Sequence, residues 1–288
     1  MRFPRSLAAT VALLAAGAVA CSENPSATDN PSLSAAQADS VAAAVVADLD
    51  GMPEGAVFDL LGLPPSALQS PTGSLACEPT VSPNPPANSD GDPIPDSVRI
   101  DFTGCVIEGR HETVTLSGAR DLVDMQPFVT GHHVRSRFID FGRSVTRTET
   151  GATWSVTLNG VRQFSASAIE LLAQEIGFLT EFVFPDGASA LHERNWSSVF
   201  TADAGQEITP RHLPAGTWIV NGTSAWTKGD RSWSLGVTTL APLHFDPACE
   251  FRPRFDDGAV EIVATRGGQT STVTIEFTAC GEYTVTRS

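Results

Sequence analysis

Two segments of similar sequence, SVRIDFTGC (97–105) and TVTIEFTAC (272–280), define the fold of this chain. Every second residue in both segments is apolar: Val98, Ile100, Phe102, Val273, Ile275 and Phe277. A period of two is typical of a β-strand that buries one face. Because both segments also follow an upstream Cys-Glu pair, they indicate a duplicated β unit.

The repeat also suggests how four of the cysteines pair. Cys77 and Cys105 are separated by 28 residues, and Cys249 and Cys280 by 31 residues. Four cysteines allow three pairings, but if both copies fold alike, each cysteine pairs within its own copy. We therefore expect two internal disulfides, each closing a loop of about thirty residues and contributing ~3–4 kcal/mol of stability.

Turn signals divide the rest of the chain into antiparallel hairpins. Gly229-Asp230, Gly267-Gly268 and Thr150-Gly151 each separate two alternating segments. If the first is a two-residue loop, Trp226 and Trp233 lie opposite each other. Trp218, Trp226 and Trp233, which lie near Trp196 in sequence, are expected to pack across strands, and the alternative is an aromatic platform for a sugar or another ligand.

Glycine positions suggest that the strands are bent. The segments TLSGAR (115–120), TLNGVR (157–162) and IVNGTS (219–224) place glycine inside alternating stretches, which often marks a bulge or a sharp bend. The alternative is coincidence in a chain rich in threonine and glycine. We expect roughly nine to eleven strands, with one helical interruption near Ala168–Gly177 and no parallel βαβ units.

One helix is predicted near the N-terminus, over residues 34–49. Ser34 and Gln37 fit a capping box, and apolar residues recur at helical spacing. Asp50-Gly51 and Pro53 are expected to end this helix, and residues 55–61 add one short helical turn.

The expected fold is mainly β: a large curved antiparallel sheet or open barrel, with the N-terminal helix packed against it or plugging it. The expected organisation is a signal peptide (1–20), a flexible tether (21–33), an N-terminal helical segment (34–62) and an antiparallel β domain (70–288).

The first twenty residues, MRFPRSLAATVALLAAGAVA, have the layout of a secretory signal. Arg2 and Arg5 precede an uncharged run of fourteen residues, which is shorter than the ~20 apolar residues that a membrane span needs. Ala18-Val19-Ala20 fits a signal-peptidase site. This pattern predicts export to a compartment where disulfides form.

Residues 1–21 resemble the lipobox signal of bacterial lipoproteins, although Ala18 stands where the strongest form has leucine. The resemblance implies cleavage before Cys21, fatty acyl chains such as palmitate on Cys21, and anchoring in the cell envelope. Ser22 in place of aspartate implies sorting to the outer membrane. The alternative is a plain secreted protein with an unpaired Cys21.

The charge balance limits the partners. The chain carries 18 basic and 33 acidic residues, a net charge of −15, and loss of residues 1–20 would make it −17. A chain this acidic is a poor binder of nucleic acid and of anionic lipid surfaces. The expected partners are the lipid bilayer, through acylated Cys21, and an unidentified ligand or envelope protein.

Asn88, Asp90 and Asp92 place oxygen side chains at alternate positions, and Asp96 follows four residues later. This spacing resembles the DxDxDGxxD calcium loops of thrombospondin type 3 and dockerin-like repeats. The resemblance implies that Asn88, Asp90, Asp92 and Asp96 bind calcium, since oxygen ligands suit this ion. Pro93 departs from the pattern because it replaces the glycine that allows the sharp turn. The alternative, which we favour, is a solvated turn.

No sequence motif identifies an activity. The nucleophile, metalloprotease and P-loop motifs GxSxG, HExxH, SxxK and GxxxxGK[ST] are missing. The leading hypothesis is a non-enzymatic binding or structural lipoprotein. The alternatives are a carrier of a lipid or other apolar ligand, which would resemble lipoprotein carriers with half-open barrels closed by helices, and a hydrolase whose site assembles only in three dimensions. The concave face of the curved sheet would separate these hypotheses: a carrier needs a large apolar cavity there, whereas a structural module has a packed interior.

Overall fold

The computed structural model describes residues 33–60, 79–91, 94–128, 132–209 and 212–288, with no side chains described for 53–60. The described helix is α1 (Ala35–Leu60). The strands are β1 (Thr80–Ser82), β2 (Ser97–Asp101), β3 (Cys105–Glu108), β4 (Glu112–Asp124), β5 (His132–Arg147), β6 (Thr153–Ala166), β7 (Glu170–Val183), β8 (Ser189–Ala202), β9 (Gly216–Lys228), β10 (Arg231–Phe245), β11 (Phe255–Arg266), β12 (Gln269–Ala279) and β13 (Glu282–Arg287). The predicted signal peptide, Cys21 and most of the tether lie outside the described residues.

All thirteen strands of the described residues belong to one antiparallel sheet. The strands are ordered β1-β2-β4, and from β4 to β13 each strand pairs with the next one in sequence. Strand β3 also pairs with β4 but is not part of this order. The path is open between β1 and β13 across the described residues. The prediction of a mainly β, antiparallel fold with one N-terminal helix is therefore confirmed. The expected nine to eleven strands were too few.

Two predictions about helices are wrong: one about where a helix occurs and one about where α1 ends. The helical interruption expected near Ala168–Gly177 is instead most of strand β7, which pairs with β6 and β8. The predicted stop at Asp50-Gly51 is also wrong, because α1 continues through it to Leu60. The predicted capping box at the start of α1 is confirmed: Ser34 N donates to Gln37 Oε1 at 2.8 Å, and Gln37 N donates to Ser34 Oγ at 3.3 Å.

The predicted hairpins are confirmed. Trp226 of β9 lies opposite Trp233 of β10, and Arg266 of β11 lies opposite Gln269 of β12. Tight turns keep each strand beside its sequence neighbour, so the sheet is largely a meander. Among helices of the described residues, none is both long and apolar enough to cross a bilayer.

Glycine bulges occur at two of the three predicted positions. The β4–β5 register shifts at Gly118, and the β6–β7 register shifts at Gly160. Gly160 has a φ of 125°, and a Cβ there would lie 2.5 Å from the carbonyl oxygen of Gly177 and 2.7 Å from Phe178 Cα. The pairing of β9 shows no shift at Gly222, so this third glycine does not form a bulge.

We expect Gly160→Ala to lower the free energy of unfolding by at least about 2 kcal/mol, because it combines backbone strain with a steric clash. Gly236→Ala is the matched control, since a Cβ there would meet nothing closer than 3.9 Å. Urea unfolding followed by tryptophan fluorescence measures both. Equal stabilities for the two variants would contradict this explanation of the bulge.

The helix α1 forms part of the main hydrophobic core. Its buried residues pack with inward-facing residues of β6 to β12: Ala38, Ala42, Val45, Leu49, Phe164, Phe200, Trp218, Leu243, Ile262 and Ile275. A smaller cluster involving Ile94 and Phe102 fills the inner face of β2 to β5. Burial of apolar area on this scale makes α1 an integral element of the domain.

The sheet curves around α1. Asp48 and Asp50 project about 200° apart around the helix axis. Asp48 binds Arg194 of β8 at 2.7 Å, whereas Asp50 binds Arg252, which precedes β11, at 2.9 Å. The helix therefore contacts the sheet on opposite sides, and we call the sheet surface that faces it the concave face.

One of the two predicted disulfides is found in the described residues. Cys249 and Cys280 are bonded, with their Cα atoms 5.5 Å apart. Cys77 lies outside the described residues, so its pairing with Cys105 stays a prediction. Cys105 is buried and disulfide-bonded.

Candidate functional site

A group of buried and partly buried charged side chains lies on the concave face beneath α1. Strand pairing aligns Phe178 of β7 with Arg194 of β8, and Arg194 with Ser224 of β9. Arg162 of β6 lies opposite Glu175 of β7 in the same way. Charged side chains from neighbouring strands thus converge where the helix covers the sheet.

Asp48, Glu175, Arg162 and Arg194 form one continuous charged network. Glu175 accepts hydrogen bonds from Arg162 Nε and Arg194 Nε, both at 2.7 Å. Arg194 Nη1 donates to Asp48 at 2.7 Å. The two guanidinium groups also lie over the Phe178 ring, at 4.1 and 5.3 Å from its centre. Two cations and two anions therefore balance inside the domain.

His192 connects this network to β9. Its Nε2 lies 3.1 Å from Asp48 Oδ2 and 2.8 Å from Ser224 Oγ. Its ring stacks on Trp226 with centroids 3.9 Å apart. Because only 2% of the His192 side chain is exposed, these contacts fix the imidazole in one place.

The ion pairs outweigh the cost of burial. Burial alone would raise the pKa of Asp48, but Arg194 and His192 together lower it below its usual range. Burial alone would lower the pKa of Arg194, but Asp48 and Glu175 raise it. Both groups are therefore charged at neutral pH, and removing one partner would leave an uncompensated charge.

A small cavity remains between α1 and the sheet. Its volume is about 150 Å³, and it is lined by Ala47, Asp48, Gly51, Met52, Arg162, Phe164, Ala173, Gln174, Glu175, Arg194, Trp196, Ser198 and Trp218. Ligand pockets for drug-sized molecules are about 300–1,000 Å³. The cavity is thus too small for an acyl chain with its headgroup while α1 stays in place.

The contacts of His192 with Asp48 and Ser224 do not have the geometry of a Ser-His-Asp triad. In such a triad the carboxylate binds Nδ1 and the serine binds Nε2. Asp48 and Ser224 instead approach the same nitrogen of His192. Ser224 is also only 2% exposed, which keeps it from a substrate.

His244 lies at a second polar cluster, between two carboxylates. Its Nδ1 is 2.6 Å from Asp256 and its Nε2 is 3.1 Å from Asp203. Burial would lower the pKa of His244, but hydrogen bonds to Asp256 and Asp203 raise it. Carboxylates thus lie next to both ring nitrogens, and the imidazole ring ties the β8–β9 connection to strands β10 and β11.

The predicted calcium loop is stabilised by its own hydrogen bonds. Asn88 Oδ1 accepts from Gly91 N at 2.8 Å. Asp96 accepts from Ser89 N at 2.7 Å and from Ser89 Oγ at 2.6 Å, and these bonds lower its pKa. Asp90 is described, whereas Asp92 is outside the described residues. The structure brings Asn88 and Asp96 into one turn, and calcium binding stays a prediction.

A group with metal-like spacing occurs at the disulfide. Asp246, Cys249 and Cys280 place potential ligand atoms within 4.8 Å of one another. Both sulfurs are consumed in the Cys249–Cys280 bond. A disulfide sulfur is not a thiolate ligand, so this group is structural in its oxidised form.

The tryptophans pack as expected, but the charged network was not predicted. Trp196 and Trp218 are buried in the core, which supports the packing interpretation. Asp48 and Arg194 are 146 positions apart. The only sign of the network in the sequence is that charged residues of α1, β6, β7 and β8 occupy positions that point to the same side as the apolar, inward-facing residues of these elements.

The comparisons with known proteins found no match: no protein-family model, no curated protein and no solved structure matches this chain.

Proposed function

We propose that this chain is a cell-envelope lipoprotein, anchored through acylated Cys21, whose folded part is a non-enzymatic binding or structural module. The observation that carries the second half of this proposal is the occupation of the concave face by α1. The helix contributes Ala42, Val45 and Leu49, each fully buried, to the core. An interior filled in this way suits a rigid module more than a container.

The anchoring half of the proposal rests on the lipobox resemblance of residues 1–21. The cysteine pattern agrees with it, since disulfides such as Cys249–Cys280 are typical of proteins in oxidising compartments. More than one acyl chain would give stable membrane attachment, where a single chain is marginal.

We expect Cys21→Ser to release the protein from the membrane fraction and to remove the acyl mass. The test is expression in a Gram-negative host, followed by fractionation and intact-mass measurement. Ser22→Asp is the matched control, since it should keep acylation and shift the protein from the outer to the inner membrane. Acyl-free wild-type protein would contradict the proposal.

A carrier of an apolar ligand is the second candidate. It is favoured by one observation, the placement of a helix over a concave sheet face that has aromatic walls at Phe164, Trp196 and Trp218. Loading would require α1 to leave the sheet and break its ion pairs. Solvent extraction of the purified protein, followed by lipid mass spectrometry, tests it, and we expect no stoichiometric lipid.

A further inference from the structure

Charge is segregated between the two ends of strands β7 to β13. We call the end where α1 begins the mouth; it consists of the β7–β8, β9–β10 and β11–β12 turns and the end of β13. Its charged side chains are Lys228, Arg231, Arg266, Arg287, Asp186 and Asp230. Four cations against two anions make the mouth positive, although the whole chain carries −15.

The opposite ends of the same strands are acidic. This acidic end consists of the β6–β7, β8–β9, β10–β11 and β12–β13 connections and the strand residues that flank them. Its described residues include six acids and two arginines: Glu170, Asp203, Glu207, Asp246, Glu250, Glu282, Arg252 and Arg254. A strand of thirteen residues such as β9 is about 43 Å long. This far exceeds the Debye length of about 8 Å at physiological salt, so the acidic end does not cancel the positive field at the mouth.

Aromatic rings accompany the cations of the mouth. Lys228 Nζ lies 4.7 Å from the centre of the Phe184 ring, and the Arg266 guanidinium lies 4.7 Å from that of Trp233. Aromatic and basic side chains together are characteristic of surfaces at the level of lipid headgroups.

The chain enters the fold at the mouth. Leu33 N donates to Ser271 Oγ at 3.0 Å, near the start of β12, and Arg287 donates to the carbonyl oxygen of Leu33. Cys21 precedes Leu33 by twelve residues, which cannot span more than about 43 Å even when fully extended. An acylated Cys21 would therefore keep the mouth within reach of the bilayer surface.

We propose that the mouth docks on anionic phospholipid headgroups and so orients the domain on its membrane, with the acidic end pointing away. This inference rests on the proposed acylation of Cys21. The acyl chains supply attachment, and Lys228, Arg231, Arg266 and Arg287 supply contacts to phosphate oxygens. The net charge of the chain is thus a poor guide to its lipid affinity, because four positive side chains lie together at the mouth, where the tether enters the fold.

Hydrogen exchange on the acylated full-length mature protein tests this inference. The protein is reconstituted on vesicles of phosphatidylcholine alone, or of phosphatidylcholine mixed with phosphatidylglycerol. We expect amides around Gly229-Asp230 and Gly267-Gly268 to be protected only on the anionic vesicles, and added salt to remove the protection. Amides of the 203–209 and 246–250 segments should exchange equally on both.

Lys228→Gln with Arg266→Gln should weaken binding of the mouth to the anionic surface about 25-fold and lower the protection accordingly, since each basic residue near an anionic surface contributes about fivefold to binding. Arg135→Gln with Arg137→Gln is the matched control, because it removes the same charge from exposed positions of β5. Equal protection on neutral and anionic vesicles, or protection of the acidic end, would overturn the inference. Acyl-free protein in the intact-mass spectrum would instead refute the anchoring itself.

Discussion

Asp48→Ala is expected to lower the free energy of unfolding by about 3–5 kcal/mol, the usual cost of breaking a buried ion pair from one side. The variant leaves Arg162, Arg194 and His192 with Glu175 as the one remaining carboxylate of the network. The measurement is urea unfolding of both proteins at neutral pH.

Asp39→Ala is the matched control for this prediction. Asp39 is an exposed acid of the same helix, and substitutions at such positions usually change stability by less than about 0.5 kcal/mol. A loss below about 1 kcal/mol for Asp48→Ala would show that the network does not hold α1 on the sheet.

The pH dependence of the same variant gives an independent check. Because the folded-state pKa of Asp48 is lowered, its contribution is present above the unfolded value of about 4. It is lost as the pH falls through the lower folded-state pKa. The stability difference between wild type and Asp48→Ala should therefore shrink on acidification below about pH 4.

Removal of the Cys249–Cys280 disulfide is expected to cost about 3–4 kcal/mol. The bond joins residues 31 positions apart, and a loop of about this length gains that much from its closure. The variant Cys249→Ser with Cys280→Ser is compared with oxidised wild type by thermal and urea unfolding.

Reduction of the wild type is the internal control for this variant. Reduction should bring the wild type to the stability of the double variant or below it, because Cys105 is disulfide-bonded as well. A double variant as stable as oxidised wild type would contradict a structural role for this bond.

The features that the sequence could predict are local ones. Alternation in residues 272–280 identified β12, whose Val273, Ile275 and Phe277 are fully or almost fully buried. Gly229-Asp230 fixed the register of its hairpin, so Trp226 and Trp233 could be paired in advance. Such features depend on two or three neighbouring residues, and no distant contact overrides them.

The incorrect predictions occur where distant contacts override local preference. The segment around Leu171 and Leu172 has good helix formers, but pairing with β6 and β8 on both edges makes it a strand. Asp50-Gly51 looks like a helix stop, yet Asp50 is held by Arg252 and by the Arg254 amide. These partners are more than 200 residues away along the chain.

The candidate site was unpredictable for the same reason. Its members come from α1 and three strands, and no two of its charged residues belong to one recognisable motif. Lone arginines and acids in strands usually lie on solvated faces. Only the curvature of the sheet, which brings β6, β7 and β8 under the helix, turns them into an internal network.

Native-state hydrogen exchange of α1 tests the central claim most directly, namely that the helix fills the concave face permanently. We predict that amides of residues 42–49 exchange only through global unfolding, with the same free energy as the β12 amides of Val273 and Ile275. Exchange of the α1 amides through a local opening several kcal/mol less costly than that of β12 would contradict this account and would favour a carrier whose helix leaves the sheet.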